Sequence, residues 1–154
     1  MPTFELTCSE LARSPWASAI DHGDYHTANI LVKNGQYCVI DWGDANITHP
    51  FCSFRVTMDF ARKLIPSGAQ DHWCEYLRSA YLSPWDGIYS DEQVASDFDK
   101  AQWVAHICRV LDFTHMFTGA NKEMLDQWRP LILEHLRVWT AEGADMLKSG
   151  ASSG

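Results

Sequence analysis

From residue 51 onward the apolar positions recur at three- and four-residue steps, and before it they do not. Phe51, Phe54, Met58, Ala61 and Ile65 trace one face of a helix that ends at Pro66-Ser67-Gly68. Trp73, Tyr76, Leu77, Ala80 and Tyr81 predict a second amphipathic helix, stopped before Pro84. Ser90 and Gln93 stand at capping-box spacing and open a long helical region reaching about Phe117. Met124, Trp128, Leu131, Ile132, His135, Leu136 and Trp139 mark a last helix, with a bend expected near Pro130. Residues 1–16 are mixed, and there Ser9 is read as the cap of a short helix closed by Pro15.

Between these regions the pattern is strand-like. A short apolar run, "WASAI", leads into a polar stretch, and "NILVKNGQYCVIDW" follows. Two runs, Ile30 to Lys33 and Gln36 to Asp41, are joined by Asn34-Gly35. Both of these residues tolerate the positive φ of a type I′ turn, so the segment predicts a β-hairpin. The fold class expected is α+β, mainly α-helical, with a small hairpin beside a body of four or five helices. One domain is expected over residues 1–148, with a flexible tail at 149–154.

Composition adds limits. A chain of 154 residues, 46% hydrophobic and 21% charged, can bury a core of its own. The net charge is −8 and no basic stripe occurs, which argues against nucleic acid as a partner. An acidic field can favour a cationic substrate, or it can be a solvated surface. Five widely spaced cysteines, Cys8, Cys38, Cys52, Cys74 and Cys108, contain no Cys-x-x-Cys and give an odd count. That fits a reducing cytoplasm better than a disulfide framework or a thiolate zinc site. Neither a signal peptide nor a long apolar run is visible, so no membrane association is expected.

The polar stretch "HGDYHTAN" holds the chemistry. His22, Asp24, His26 and Asn29 fall within eight residues, just ahead of the hairpin. A hairpin returns the chain on itself, so Asn29 at its start and Asp41 at its end are expected as neighbours, with Asp44 close by. An amide oxygen and a carboxylate are hard ligands that suit Mg²⁺, which keeps waters and draws further ligands from substrate phosphates. Asp24 is then left to hold a substrate hydroxyl and accept its proton. This is the arrangement of phosphoryl transfer: a catalytic-loop Asp, an Asn five residues on, and a metal-binding Asp after a short hairpin.

"HGDYHTANIL" followed by "VIDWGDA" resembles the aminoglycoside phosphotransferase and choline kinase-like family, whose pattern is roughly His-Gly-Asp-x-His-x-x-Asn and Ile-Asp-Trp. The motifs cover about 25 residues, and the helical remainder is similar to that family's C-terminal lobe. The resemblance implies Asp24 as catalytic base, Asn29 and Asp41 as ligands of Mg²⁺ and through it of ATP, and supporting roles for His22, His26 and Asp44. It implies a small-molecule hydroxyl acceptor. In related enzymes the helical lobe lines the acceptor pocket. By that analogy Trp85, Asp86, Asp91, Glu92, Asp97 and Asp99 either meet an amine-bearing substrate or form an ordinary solvated helix start.

The pattern is incomplete. Before Asp24 there is no lysine, Arg13 is the single Lys or Arg, and Gly23 is the first glycine, so neither a glycine-rich phosphate loop nor a strand lysine is present. The chain is therefore expected to be the C-terminal lobe without its nucleotide-binding lobe, with little or no kinase activity alone. A fragment, a truncated gene and one half of a complex remain open. Two other functions compete: a non-catalytic pseudoenzyme or binding module, and a metal-dependent hydrolase built on His22, Asp24, His26 and Asp41. A lobe without its partner is also expected to self-associate through exposed apolar surface. His49 is read as a loop residue, and His72, His106, His115 and His135 as histidines at the edge or surface of the helical core.

Overall fold

The computed structural model describes residues 2–16, 18–117 and 119–151. The elements run α1 (Pro2–Leu11), β1 (Ala19–Asp21), β2 (Ile30–Lys33), β3 (Gln36–Val39), β4 (Asn46–Thr48), α2 (Phe54–Leu64), α3 (Gln70–Leu82), α4 (Asp91–Met116) and α5 (Lys122–Ala151). The chain is mainly α-helical with a small β component, an α+β arrangement.

The hairpin forms where the Asn-Gly signal lies. Asn34 and Gly35 both take positive φ, 52° and 73°, and Val32 pairs with Tyr37 across the strands. The second strand ends at Val39, two residues sooner than expected, because Asp41 turns into the left-handed region at φ 63°. A second sheet joins β1 to β4, antiparallel, with Ile20 opposite Ile47. Its strands are three residues each, too short for an alternation to be read from the sequence.

Helix α2 follows the apolar periodicity, but α3 is rotated from the expected face: Trp73, Tyr76 and Ala80 are exposed, while Cys74, Leu77 and Tyr81 pack on the core. A 3-10 turn, Pro50–Ser53, precedes α2. Ser90 Oγ accepts from the Gln93 N–H at 3.2 Å, capping α4. Asn121 Oδ1 accepts from the Met124 N–H at 2.9 Å ahead of α5, which contains Pro130 and continues to Ala151, past residue 148. Residues 152–154 of the expected tail lie outside the described residues, as does the side chain of His115. Ser9 does not cap a helix start: it lies within α1, and its hydroxyl donates to the Glu5 carbonyl at 2.8 Å. Helix α1 ends at Leu11, ahead of Pro15.

The core sits among α1, α2, α3, α4 and the 3-10 turn. Phe51, Phe54, Met58, Val94, Phe98, Ala101, Trp103 and Val104 are buried together. Trp103 stacks on Trp139 of α5, with ring centroids 5.4 Å apart, and its indole N–H donates to the Trp139 carbonyl. This helical body carries on one side the two small sheets and the loop between β1 and β2. Among the described residues no helix is long and apolar enough to cross a membrane, and the five cysteines are unpaired.

Candidate active site

The loop from His22 to Asn29 is shaped by its own side chains. His22 is buried, and its ring joins two strands of chain. The Asp24 N–H donates to Nδ1 at 3.3 Å, so Nε2 carries the proton that is donated to the Ile40 carbonyl at 2.8 Å. Gly23 has φ +79°, and a Cβ there would stand 2.4 Å from the Asp44 carbonyl oxygen. Only glycine fits this close approach of loop to hairpin end. The Gly23 N–H donates to Asp21 Oδ1 at 3.0 Å.

Asp24 is held from three directions. His26 Nδ1 accepts from the Ala28 N–H at 3.2 Å, which leaves Nε2–H to donate to Asp24 Oδ2 at 3.1 Å. The same ring stacks flat on Phe60 of α2, centroids 3.9 Å apart, which keeps it from turning away. Asn29 Nδ2 donates to the Asp24 carbonyl at 2.9 Å and lies 3.5 Å from Oδ2. On the other oxygen, Arg109 of α4 donates from Nη2 to Oδ1 at 3.2 Å and from Nη1 to the Gly23 carbonyl at 3.3 Å. Its guanidinium lies over the Phe113 ring at 4.8 Å. The carboxylate is thus locked in orientation yet remains partly open, at 28% side-chain exposure.

Asn29 and Asp41 stand at the two ends of the hairpin. The Ile40 N–H donates to the Asn29 carbonyl at 3.0 Å, so Asp41 follows the residue paired with Asn29. Asp41 is exposed, and its carboxylate does not cap the Trp42–Asp44 turn that follows. With Asn29 Nδ2 directed at Asp24, the amide oxygen is the atom left to serve as a ligand. Asp44 contributes its backbone carbonyl to the contact with Gly23 and its side chain to the rim of a cleft.

That cleft, about 360 Å³, opens beside Asp24 and runs between α2, α4 and α5. Asp24, His26, Asp44, Asp59, Lys63, Arg109 and His135 supply its polar wall, and Val56, Phe60, Phe113, Trp128 and Leu131 its apolar wall. Apolar walls with several convergent polar groups are a usual lining of a small-molecule site. Asp86, Asp91, Glu92, Asp97 and Asp99 do not line it.

Sequence reasoning missed Arg109, Asp59 and His135. Each sits inside a helix where a charged or polar residue needs no special explanation, and no motif sets it apart. His72 is exposed, and three other histidines are buried. His49 is buried at the start of the 3-10 turn, where Nδ1 accepts from the Phe51 N–H and Nε2 lies 3.0 Å from Ser14 Oγ. His106 and His135 are buried as a pair, Nδ1 to Nδ1 at 2.9 Å, rather than lying at the surface.

The competing hydrolase finds no ligand set. Both ring nitrogens of His22 are engaged with backbone, and both of His26 are engaged with Ala28 and Asp24. Among the described residues no group of three or more His, Cys, Asp or Glu side chains is arranged to hold a metal. Burial pushes the Cys52 thiol up to about 12 and the Cys108 thiol to about 11, so neither is a thiolate nucleophile near neutral pH.

A loop carboxylate with an amide five residues on bonded to its backbone carbonyl, beside a hairpin that returns an acid to the same edge, is the geometry the sequence motifs predict. Residues 7–92, more than half of the chain, match the model of the phosphotransferase enzyme family APH, and the chain belongs to that family. No curated protein and no solved structure matches it. The matched stretch contains the loop, both sheets, α2 and α3. Arg109, Phe113, Trp128 and His135, which form the far wall of the cleft, lie beyond it.

Proposed function

We propose that this chain is the acceptor-binding and catalytic lobe of a kinase-like phosphotransferase, which moves the γ-phosphoryl group of ATP to a hydroxyl of a small molecule. One observation carries the reading: Asp24 faces the cleft while its carboxylate is oriented by Arg109 and His26 and its backbone carbonyl is held by Asn29. In the reaction the acceptor oxygen bonds to the γ-phosphorus, and the bond from that phosphorus to the bridging oxygen of ADP breaks. ADP leaves with the electron pair, and the hydroxyl proton passes to Asp24. Fixing one carboxylate against one hydroxyl supplies most of what a protein contributes to such a transfer, since the chemistry depends on positioning and on neutralising charge.

Mg²⁺ fits the residues present. The Asn29 amide oxygen and the Asp41 carboxylate are hard donors at adjoining ends of one hairpin, and two such ligands suffice when phosphates and water complete the shell. When bound, the metal would neutralise charge on the phosphates of the nucleotide.

Residues 1–154 carry no glycine-rich phosphate loop and no lysine ahead of Asp24. A nucleotide-holding lobe is therefore required from elsewhere, and the 154 residues alone are expected to transfer little or no phosphate. The exposed apolar side chains of the two small sheets, Ile20, Ile47, Val32 and Tyr37, support a seat for that lobe. Without it the chain is expected to self-associate, and a monodisperse monomer in sedimentation at high concentration would refute that. Steady ATP-dependent phosphorylation of any small alcohol by these residues alone would overturn the need for a second lobe.

The metal assignment is tested with Mn²⁺ and ATP in place of Mg²⁺. Paramagnetic broadening is expected first at the Asn29 side-chain amide and the Asp41 backbone, and it is expected to vanish in Asn29→Ala and Asp41→Ala. Broadening confined to other acidic residues would sink the reading.

A further inference from the structure

At the cleft wall four polar side chains from three helices are arranged in a ring. Arg55 and Asp59 belong to α2, His106 to α4 and His135 to α5. Arg55 Nη2 donates to Asp59 Oδ1 at 3.0 Å, and Arg55 Nη1 stands 3.3 Å from His106 Nε2. His106 Nδ1 meets His135 Nδ1 at 2.9 Å, and His135 Nε2 comes within 3.9 Å of Asp59 Oδ2. Arg55, His106 and His135 are buried.

Every proton in this ring is fixed by one fact: a guanidinium donates and cannot accept. Its N–H faces His106 Nε2, so that nitrogen must offer a lone pair. The His106 proton is then on Nδ1 and is donated to His135 Nδ1. The proton of His135 is thereby forced onto Nε2, the atom beside Asp59. Both rings must be neutral for this to hold. Burial first, and then the Arg55 charge, push His106 down to about 3, while burial lowers His135.

The last link of the ring is not closed. At 3.9 Å, His135 Nε2–H and Asp59 Oδ2 are too far apart to hydrogen-bond to each other. Both residues line the cleft that Asp24 faces. An oxygen seated about 2.8 Å from each would accept from His135 and donate to Asp59, and a hydroxyl has both capacities. An ammonium could satisfy Asp59 but would meet the His135 N–H as one donor facing another. We propose that Asp59 and His135 form a second hydroxyl-binding position, so that the acceptor carries at least two hydroxyls, one at Asp24 and one bridging this pair. The inference rests on the phosphotransferase reading of the cleft, and it makes Asp59 and His135 specificity-determining residues. It also separates the acceptor from a simple cationic alcohol, which the net charge alone would favour.

Two measurements on the ¹⁵N-labelled chain test this. Long-range ¹⁵N–¹H spectra should show His106 protonated on Nδ1 and His135 on Nε2, and the reverse assignment for His135 would overturn the proposal. Titration with myo-inositol, a polyol probe, should shift the His135 Nε2 and Trp128 indole signals, whereas choline, with one hydroxyl and a fixed charge, should leave His135 in place. Asp59→Asn, which keeps an oxygen for Arg55 but turns an N–H toward His135, should weaken inositol binding about 10- to 100-fold. If Asp59→Asn fails to fold, the shift of His135 in the unaltered chain decides alone. No shift at His135, or an equal shift with choline, refutes the second position. That failure leaves Mn²⁺–ATP broadening at Asn29 and Asp41 untouched. Loss of the broadening with the His135 shift intact would remove the phosphotransferase reading and keep the hydroxyl site.

Discussion

Two halves of this molecule are held by different forces. Between Ala19 and Thr48 the buried residues are His22, Gly23 and Asn29, while Tyr37 and Ile47 are each 78% exposed. In the helical body, Phe51 and Ala101 have no exposed surface. The rim is therefore ordered by hydrogen bonds and close backbone approach, and the body by apolar packing. The Asp24 carboxylate belongs to the rim but is gripped by the body, through Arg109 and through Phe60 beneath His26. A thin loop gains rigidity in this way without a core of its own, while the Asp24 carboxylate stays partly exposed to the cleft.

The histidines repeat the contrast. In the rim, His22 and His26 use their ring nitrogens to tie loop backbone and to aim Asp24. In the body, His106 and His135 are enclosed and transmit the donor character of Arg55 to the cleft.

The comparison is broken most directly by Phe51→Ala. Phe51 touches Trp16, His49, Trp85 and Phe98, and its removal should lower global stability by about 3–5 kcal/mol in urea unfolding. A loss below about 1 kcal/mol would mean that the body is not held by this core.

Gly23→Ala should act on the rim alone. The positive φ adds strain of about 1–3 kcal/mol, and the methyl group meets the Asp44 carbonyl. Hydrogen exchange of residues 21–29 is expected to speed up while the protected amides of α4 keep their rates. Equal loosening of α4 would show that the two halves do not separate.

The third effect is nil at neutral pH and grows with acid. The folded chain holds His106 neutral down to about 3, against 6.5 as its ordinary value, because burial and the Arg55, His135 and Arg62 charges disfavour the imidazolium. Between these values the unfolded chain binds more protons than the folded one, so stability is full above pH 6.5 and falls as pH drops toward 3. Asp59 opposes this only at His135. His106→Asn should flatten the acid slope of the unfolding midpoint, and an unchanged slope would place the acid sensitivity elsewhere.

Much of the site was legible because its parts are close in sequence. Asp24 and Asn29 share one loop, and Asp41 is returned to Asn29 by a turn whose residues announce it. One helix face was legible too, since period and capping are local properties: the Ser90 cap and the apolar face of α2 needed no tertiary information, whereas on α3 the aromatic residues Trp73 and Tyr76 are exposed and Cys74, Leu77 and Tyr81 pack inward.

What only the tertiary structure decided is partnership. Arg109 reaches Asp24 across 85 residues of chain, and His106 reaches His135 across 29. On a helix the spacing of apolar residues says which face is covered, but not by what, and a polar residue at the edge of that face is equally at home in water. Ser9 shows the same limit, a hydroxyl with cap chemistry used inside a helix. The local chemistry of a carboxylate loop and an acid-bearing hairpin was written in the order of the residues. The side chains that orient that carboxylate, and the Asp59–His135 pair on the cleft wall, were brought together by how the helices pack.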